Sequence, residues 1–174
     1  MIRKASLTDL DAVSAIYTAI HDREEAGLST IGWIRSIYPT RATAEASILA
    51  GDMFVMEEQG RIVAAARINQ KQEDSYREAA WTREAADHEV LVLHTLVVHP
   101  EAAGRGIGTR FVAFYEECAA RMSCPYLRMD TNARNAAARA LYKKLGYIEV
   151  SIVPCVFNGI AGVDLVLLEK TLSQ

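Results

Sequence analysis

Glycine stands at every second position in one short segment of the chain, at Gly104, Gly106 and Gly108. The segment lies between an apolar run and an amphipathic run, which predicts a strand, a turn and a helix. Glycines at such a turn let successive backbone N–H groups converge without Cβ atoms, at the positive end of the helix dipole. This geometry binds phosphate. The same spacing also fits a tight strand-to-helix turn without a ligand, so the glycines alone leave both interpretations open.

Two widespread phosphate-binding motifs do not fit this segment. A P-loop requires a lysine directly after its last glycine, and none follows Gly106 or Gly108. A dinucleotide-binding turn requires its third glycine at position 109, where the chain has Thr109. The segment therefore fits neither an NTPase nor a dinucleotide-binding protein. Arg105 and Arg110 flank the turn and either supply a local positive field or are solvated surface charges.

Two segments between residues 89 and 147 carry a more specific pattern. The first, LHTLVVHPEAAGRGIGTRF, contains the glycine turn, and the second reads Asn-x-x-Ala-x-x-Leu-Tyr-x-x-Leu-Gly-Tyr from Asn135 to Tyr147. In this order they resemble the two signature segments of the GCN5-related N-acetyltransferases. The chain departs from the pattern at Ala103, where the family usually has Gln or Arg. This departure removes one polar contact and keeps the backbone cradle.

The resemblance implies acetyl-CoA as the acetyl donor, with its pyrophosphate on the glycine turn and its pantetheine arm along the preceding strand. In the family this strand splays from the next parallel strand, which leaves backbone groups free to pair with the pantetheine amides. The resemblance implies that Asn135 lies near the pantetheine, but this residue equally fits a helix N-cap. The implied donor contacts are Leu96, Val97, Val98, Gly104, Arg105, Gly106, Ile107, Gly108, Thr109, Asn135 and Arg139.

Three side chains are candidates for the proton transfers that amine acetylation needs. Tyr142 matches the position where the family places a general acid, which protonates the departing thiolate; alternatively, it packs in the core. A primary amine arrives as an ammonium ion, so a base must take its proton. His94 lies on the predicted central strand, on the face of Val98 by strand alternation, and Asp130 lies near the end of a later strand. His94, Asp130 and a water chain all stay open as the base.

Aromatic and acidic residues outside the signature segments are candidates for the acceptor site. The resemblance places the acceptor between the segment after the first strand and the loop before the central strand. Aromatic rings near carboxylates suit a small cationic amine, although the two tryptophans would also fit as seals between helices and sheet. We therefore expect a small-molecule amine rather than a protein N-terminus. The candidate residues are Glu25, Trp33, Tyr38, Tyr76 and Trp81.

The composition excludes several other classes of protein. A net charge of −3 over 174 residues offers no broad basic surface for nucleic acid. No uncharged run approaches the roughly 18 residues of a membrane helix, and Asp9 and Asp11 stand where a signal peptide would be apolar. The three cysteines lack CxxC spacing and the histidines form no ligand set, so no metal site is expected. The expected location is the reducing cytoplasm, with no membrane partner.

The hydrophobic pattern predicts one α/β (α+β) domain over residues 1–174, in which helices flank a mixed central sheet of about six or seven strands. The strand at 89–100 is apolar on both faces, which is typical of a central strand. Helices are predicted at 6–26, 30–38, 40–51, after the glycine turn, and at 135–145. Strands are predicted at the N-terminus, in a hairpin around Gln59-Gly60, and at 89–100, 125–131, 147–156 and 162–172.

These patterns together predict an acetyl-CoA-dependent N-acetyltransferase that transfers the acetyl group directly within a ternary complex. A covalent intermediate is not expected, because no cysteine has the paired base that would make it a nucleophile. Two alternatives stay open: a non-catalytic acyl-CoA sensor, and an acetyltransferase of protein N-termini or lysines. The resemblance also leaves a homodimer open.

Overall fold

A seven-stranded mixed sheet forms the centre of the computed structural model, which describes residues 1–172. Its strands lie in the order β1-β2-β3-β4-β5-β7-β6, with β4 and β5 parallel and the other pairs antiparallel. This confirms the predicted mixed sheet with the apolar strand at its centre. The strands are β1 (Ile2–Lys4), β2 (Met53–Glu58), β3 (Arg61–Asn69), β4 (Val90–Val98), β5 (Tyr126–Asn132), β6 (Ile148–Phe157) and β7 (Ile160–Thr171).

Helices cover both faces of this sheet. They are α1 (Leu10–Glu25), α2 (Arg41–Leu49), α3 (Ile107–Arg121) and α4 (Ala136–Lys144). Val13 of α1 and Ala44 of α2 pack with Val97 of β4, whereas Phe111 of α3 packs with Leu91 on the opposite face. No helix within residues 1–172 has both the length and the apolar composition that a bilayer-spanning segment needs.

Local signals in the sequence place several helix and strand ends. The Thr40 hydroxyl accepts a hydrogen bond from a first-turn backbone N–H of α2 at 3.3 Å. Asn135 begins α4 in the same way, with its Oδ1 3.1 Å from Ala138 N. Gln59 and Gly60 have φ angles of +51° and +73°, which match the twist of the β2–β3 hairpin. These ends agree with the predicted ones.

The predicted helix at 30–38 is wrong. This segment lies in the α1–α2 loop (residues 26–40) and has no helical residue. The Glu24 carboxylate accepts hydrogen bonds from Ile31 N at 2.8 Å and from Gly32 N at 2.7 Å, which takes these donors out of a helical ladder. Gly32 also has a φ of +84°, outside the helical region. The loop is thus fixed by a side chain of α1 and not by its own periodicity.

A bulge in β4 changes which of its side chains share a face. His94 pairs with Arg67 on β3, but Val97 pairs with the β3 residue only two positions before Arg67. The strand carries its extra residue near Thr95, whose φ is +52°. Because residues two apart on β3 share a face, His94 lies on the face of Val97. The predicted common face of His94 and Val98 is therefore wrong.

Strands β4 and β5 separate toward their carboxyl ends. Their parallel pairing runs from Val90↔Tyr126 to Leu93↔Met129 and stops, although both strands continue. Within residues 1–172, β4 then pairs with β3 alone and β5 with β7 alone. The backbone of residues 96–98 is consequently open on its β5 side, which is the splay that the resemblance implies.

Candidate active site

The gap between the separated ends of β4 and β5 opens into a cavity of about 400 Å³. Residues 93–98 of β4 form one wall, and α4 forms another. Pro100 and Ala103 lead from the cavity toward the glycine turn, and we call this side the donor end. At the other side, which we call the acceptor end, the α1–α2 loop and the turn between β6 and β7 line the cavity.

The glycine turn is an open cradle at the start of α3. Gly104 and Gly106 have φ angles of +76° and +71°, and Gly106 is the N-cap of α3. A Cβ atom at either position would meet no atom within 4 Å, so the space beside them is free for a phosphate. Gly108 differs, because a Cβ there would lie 3.0 Å from Leu141 Cδ2 of α4. Ile107 is buried in the core, which leaves only its backbone to face a ligand.

Arg105 and Arg139, two of the predicted donor contacts, and Arg110, which flanks the glycine turn, are all held in ion pairs. Arg105 Nη2 lies 2.7 Å from Glu58 Oε2, and Arg110 Nη2 lies 2.5 Å from Glu58 Oε1. Arg139 Nε lies 2.7 Å from Glu149 Oε1, and Arg139 does not line the cavity. Glu58 therefore gathers two arginines beside the glycine turn. No sequence motif marks this carboxylate, which ends β2.

The remaining predicted donor contacts follow a path from the cavity to α3. The strand residues 96–98 line the cavity along the open edge of β4. Asn135 lines the cavity from the start of α4, where its side chain caps the helix; its contact with the donor stays a prediction. Thr109 is exposed on the first turn of α3.

Tyr142 of α4 lines the cavity. Its side chain is 7% exposed, and its ring packs against Tyr147 with centroids 6.2 Å apart. Burial raises the pKa of this phenol above its usual range, so the group stays protonated at neutral pH. A protonated hydroxyl at this place suits a donor of a proton to a departing thiolate.

We expect Tyr142→Phe to lower kcat by about tenfold or more, while the dissociation constant of acetyl-CoA changes by less than about twofold. The lost hydroxyl would act where the thiolate departs, so its removal falls on the transition state. Thiol release and calorimetry measure the two quantities. Tyr147→Phe is the control, because its hydroxyl donates to Glu116 outside the cavity. Equal losses in turnover and binding would assign Tyr142 to packing alone.

Asp130 is a carboxylate at the acceptor end, directly after Met129, the last β5 residue that pairs with β4. Tyr76 Oη donates a hydrogen bond to Asp130 Oδ2 at 2.7 Å. Burial raises the pKa of Asp130 to about 7, although the hydrogen bond from Tyr76 opposes this rise. A carboxylate with such a pKa is matched to taking a proton near neutral pH.

His94 also lines the cavity, but neither of its ring nitrogens is available to a substrate. Its Nε2 lies 3.0 Å from Asn69 Oδ1, which already accepts from Lys71 N, so Nε2 is the donor in this pair. Its Nδ1 is buried without a hydrogen bond, 3.2 Å from Glu73 Oε1. Burial lowers the pKa of His94. The geometry therefore favours Asp130 over His94 as the group that meets a substrate.

The acceptor candidates divide into residues that reach the cavity and residues that do not. Trp33 and Tyr38 line it from the α1–α2 loop, and their rings meet edge to face at 6.1 Å. Tyr38 also forms a hydrogen bond to Thr95 at the β4 bulge. Glu25 does not line the cavity, since its carboxylate is bound by Arg35 at 2.8 Å on the surface. The structure thus brings two of the five to the acceptor end.

Tyr76 and Trp81 stand behind the acceptor end and not in its wall. Both come from the segment between β3 and β4 (residues 70–89), which holds a 3-10 turn at Asp74–Glu78. Tyr76 is 2% exposed and reaches Asp130 only through its hydroxyl. Trp81 packs against Tyr76 with ring centroids 5.4 Å apart.

Four residues of the acceptor end were not singled out from the sequence. Arg67 donates to Glu73 at 2.9 Å, and both line the cavity. A charged residue inside the apolar strand VAAARIN was a usable signal for Arg67. Phe157 and Asn158 line the cavity from the β6–β7 turn, and nothing local in the sequence marks them. Within residues 1–172 no three side chains of His, Cys, Asp or Glu gather as a metal site.

An open phosphate cradle, a splayed pair of parallel strands and a cavity between them define an acyl-CoA-binding fold. The model of the acetyltransferase (GNAT) family matches residues 15–147, and the chain belongs to this family. Among curated proteins, none matches the chain.

Solved structures share the fold over the length of the chain. A GNAT-family acetyltransferase from Streptococcus agalactiae has a TM-score of 0.82 at 23% identity, over 100% of this chain and 96% of its own. A ribosomal-protein-alanine N-acetyltransferase from Brucella melitensis has a TM-score of 0.72 at 24% identity, over 99% of both chains. The protein yncA from Salmonella typhimurium, solved with its cofactor acetyl-CoA, has a TM-score of 0.67 at 23% identity, over 100% and 94%. At these identities the likeness concerns the fold.

Proposed function

We propose that this chain transfers the acetyl group of acetyl-CoA to the primary amine of a small molecule, with Asp130 as general base and Tyr142 as general acid. The observation that carries the proposal is the position of Asp130. Its carboxylate has a pKa near neutrality and lies at the acceptor end of the cavity that begins at the glycine turn. A base and an acid then line the same cavity as the open edge of β4.

The covering of the acceptor end supports a small acceptor. Thr30 Oγ1 of the α1–α2 loop donates to Arg134 O at 3.0 Å, which ties this loop to the residues after β5. A Cβ on Gly159 in the β6–β7 turn would lie 3.1 Å from Ile37 Cγ2 of the same loop. The two segments therefore meet beside the cavity. An extended peptide needs an open groove to pass through, whereas an enclosed pocket suits a small ligand.

The transfer then proceeds with one proton moved at each end. The ammonium ion first loses one proton to solvent, because only the neutral amine has an electron pair for attack. Asp130 then takes a second proton from the nitrogen as that nitrogen attacks the carbonyl carbon of the thioester and forms the C–N bond. A backbone N–H on the open edge of β4 stabilises the negative charge on the carbonyl oxygen. The C–S bond breaks, and Tyr142 gives its proton to the departing sulfur. The products are an N-acetylamine and CoA thiol, and solvent returns one proton to Tyr142 and removes one from Asp130.

Thiol release from acetyl-CoA, measured over a panel of acceptors, tests the proposal. The panel contains small primary amines and amino acids on one side, and peptides with a free N-terminus or a lysine on the other. We expect kcat/KM for a small amine to exceed that of each peptide by at least about tenfold. Release with peptides alone would make the chain a protein acetyltransferase. Tight acetyl-CoA binding without release over the whole panel would make it a sensor.

The proposal also includes the setting in which the enzyme works. Residues 1–174 act as one catalytic domain in the cytoplasm, without nucleic acid or membrane as a partner. Free thiols at Cys118, Cys124 and Cys155 support a reducing compartment. Gel filtration of the purified chain decides between a monomer and a homodimer.

A further inference from the structure

A stack of side chains holds the segment between β3 and β4 in place behind the acceptor end of the cavity. Arg128 of β5 lies over the ring of Trp81, with its guanidinium carbon 4.1 Å from the centroid. Trp81 in turn packs on Tyr76, and its Nε1 donates to Tyr76 O at 2.8 Å. Tyr76 donates to Asp130 at 2.7 Å. The stack therefore runs without a break from Arg128 to the carboxylate at the acceptor end.

Arg128 is an anchor at the base of this stack. It is 3% exposed, although the arginine lies in a strand between apolar residues. Its Nη1 donates to Gln72 Oε1 at 2.6 Å, and its Nη2 donates to Arg83 O at 2.9 Å, so it holds the segment at two points, on either side of Tyr76 and Trp81. The buried carboxylate of Glu169 on β7 lies 3.6 Å from its Nε and accepts from Thr82 N at 2.9 Å.

This anchor has no role in lining the cavity. Arg128 and Trp81 are absent from the cavity wall, and their contacts lead to Asp130 only through Tyr76. A buried arginine is costly to desolvate, and Arg128 Nε makes no hydrogen bond, so the contacts of its other two nitrogens and of its guanidinium face must serve the fold or the site. Because Arg128 and Asp130 are two residues apart on β5, they share a face, and the segment can bridge them.

We propose that Arg128 and Trp81 are positioning residues for the transfer reaction, which hold Tyr76 so that its hydroxyl binds and orients the Asp130 carboxylate. This inference rests on the proposed function for the role of Asp130 as base. The part of this segment that carries Tyr76 and Trp81 is thus a support for the base and not a surface for the acceptor.

Several groups face Asp130 and set its proton affinity. Tyr76 stabilises the ionised form by its hydrogen bond, and Arg67 of β3 stabilises it by charge. Glu73 acts in the opposite direction, and burial does so most strongly. Tyr142 of α4 and Cys155 of β6 also feel the charge of Asp130. Loss of the Tyr76 hydrogen bond leaves burial less opposed, so the pKa of Asp130 must rise.

The titration of Asp130 by carboxyl-carbon NMR, in the full chain labelled at aspartate, tests the inference without relying on catalysis. Asp130→Asn identifies the signal. In Tyr76→Phe and in Trp81→Ala we expect the midpoint to rise by about one pH unit, which corresponds to the loss of one charged hydrogen bond. In the double variant the rise should equal that of Tyr76→Phe alone, because both changes break the same contact.

Two further variants guard against a general loss of structure. Trp81→Phe keeps the stack on Arg128 and removes only the indole N–H bond to Tyr76, so its midpoint should rise less than that of Trp81→Ala. Phe114→Ala is the matched control, because Phe114 also packs between an aromatic ring, Phe54, and an arginine, but on α3. It should lose stability and leave the Asp130 midpoint unchanged.

The outcomes separate this inference from the proposed function. An unchanged midpoint in both Trp81 variants, or additive rises in the double variant, would overturn the positioning role. If the Asp130 midpoints rise as expected, the low-pH limb of the kcat/KM profile should shift to higher pH by the same amount in each variant. If the Asp130 midpoint rises but the low-pH limb of the kcat/KM profile stays where it is in the parent, Trp81 still positions Tyr76, but Asp130 is not the base.

Discussion

Asp130→Asn should lower kcat for amine acetylation by about 100-fold or more, while the dissociation constant of acetyl-CoA changes little. The carboxylate stands at the acceptor end of the cavity, with a pKa near 7. Asparagine has nearly the same shape and still accepts a hydrogen bond from Tyr76, but it cannot take a proton from the amine. In the parent enzyme, kcat/KM should fall as the pH drops below about 7. In the variant this limb should be absent. Steady-state kinetics over a range of pH measure both effects.

The same substitution has an expected effect on stability that shows whether the variant is folded. A carboxyl whose pKa is raised on folding binds more protons in the folded state, so it makes the protein less stable as the pH rises from about 4 to about 7. Asparagine removes this dependence. Urea unfolding at pH 8 should therefore find Asp130→Asn at least as stable as the parent.

His94→Gln is the variant that compares the two candidate bases. Neither ring nitrogen of His94 is free to meet a substrate, because Nε2 donates to Asn69 and Nδ1 is buried beside Glu73. We expect its effect on kcat to be smaller than that of Asp130→Asn. A larger loss in His94→Gln, with the pH limb abolished, would transfer the role of base to His94.

Gly106→Val should weaken acetyl-CoA binding by about 100-fold or more, as measured by calorimetry. Gly106 is the N-cap of α3, and its missing side chain leaves open the space where backbone N–H groups converge. A valine would fill that space and push the pyrophosphate away from the positive end of the helix. The affinity for the acceptor should change far less, because the acceptor end lies across the cavity.

A matched substitution separates blocking from backbone strain. Gly27, at the end of α1, has a φ of +70°. As at Gly106, a Cβ atom at this position would have no other atom within 4 Å. Gly27→Val therefore carries the same conformational cost without touching the glycine turn. It should lose similar stability and bind acetyl-CoA like the parent. If both variants lose binding equally, or if folded Gly106→Val binds normally, the turn does not hold the pyrophosphate.

Local patterns in the sequence were enough for the backbone features of the donor end. The apolar run of β4, the glycines at 104 and 106 and the cap at Asn135 all act within a few residues along the chain. Such short-range effects depend on backbone conformation and periodicity, which the sequence displays directly. The same reasoning failed at 30–38, because Glu24, at the end of the preceding helix, holds that loop.

The acceptor half depended on contacts between distant residues, and only the tertiary structure decided it. His94 and Asp130 were equal candidates in the sequence, and the bulge at Thr95 together with the Asn69 contact is the ground on which we propose Asp130 as the base. Trp81 is of a residue type that suits a substrate contact. Its ring instead packs on Arg128, 47 positions later in the chain, and lies behind the cavity wall. Alternation along a strand predicts which face each side chain lies on, but one extra residue at a bulge moves all later side chains to the opposite face. The partners of a buried charge are likewise set by strand pairing and burial, which no local window of sequence contains.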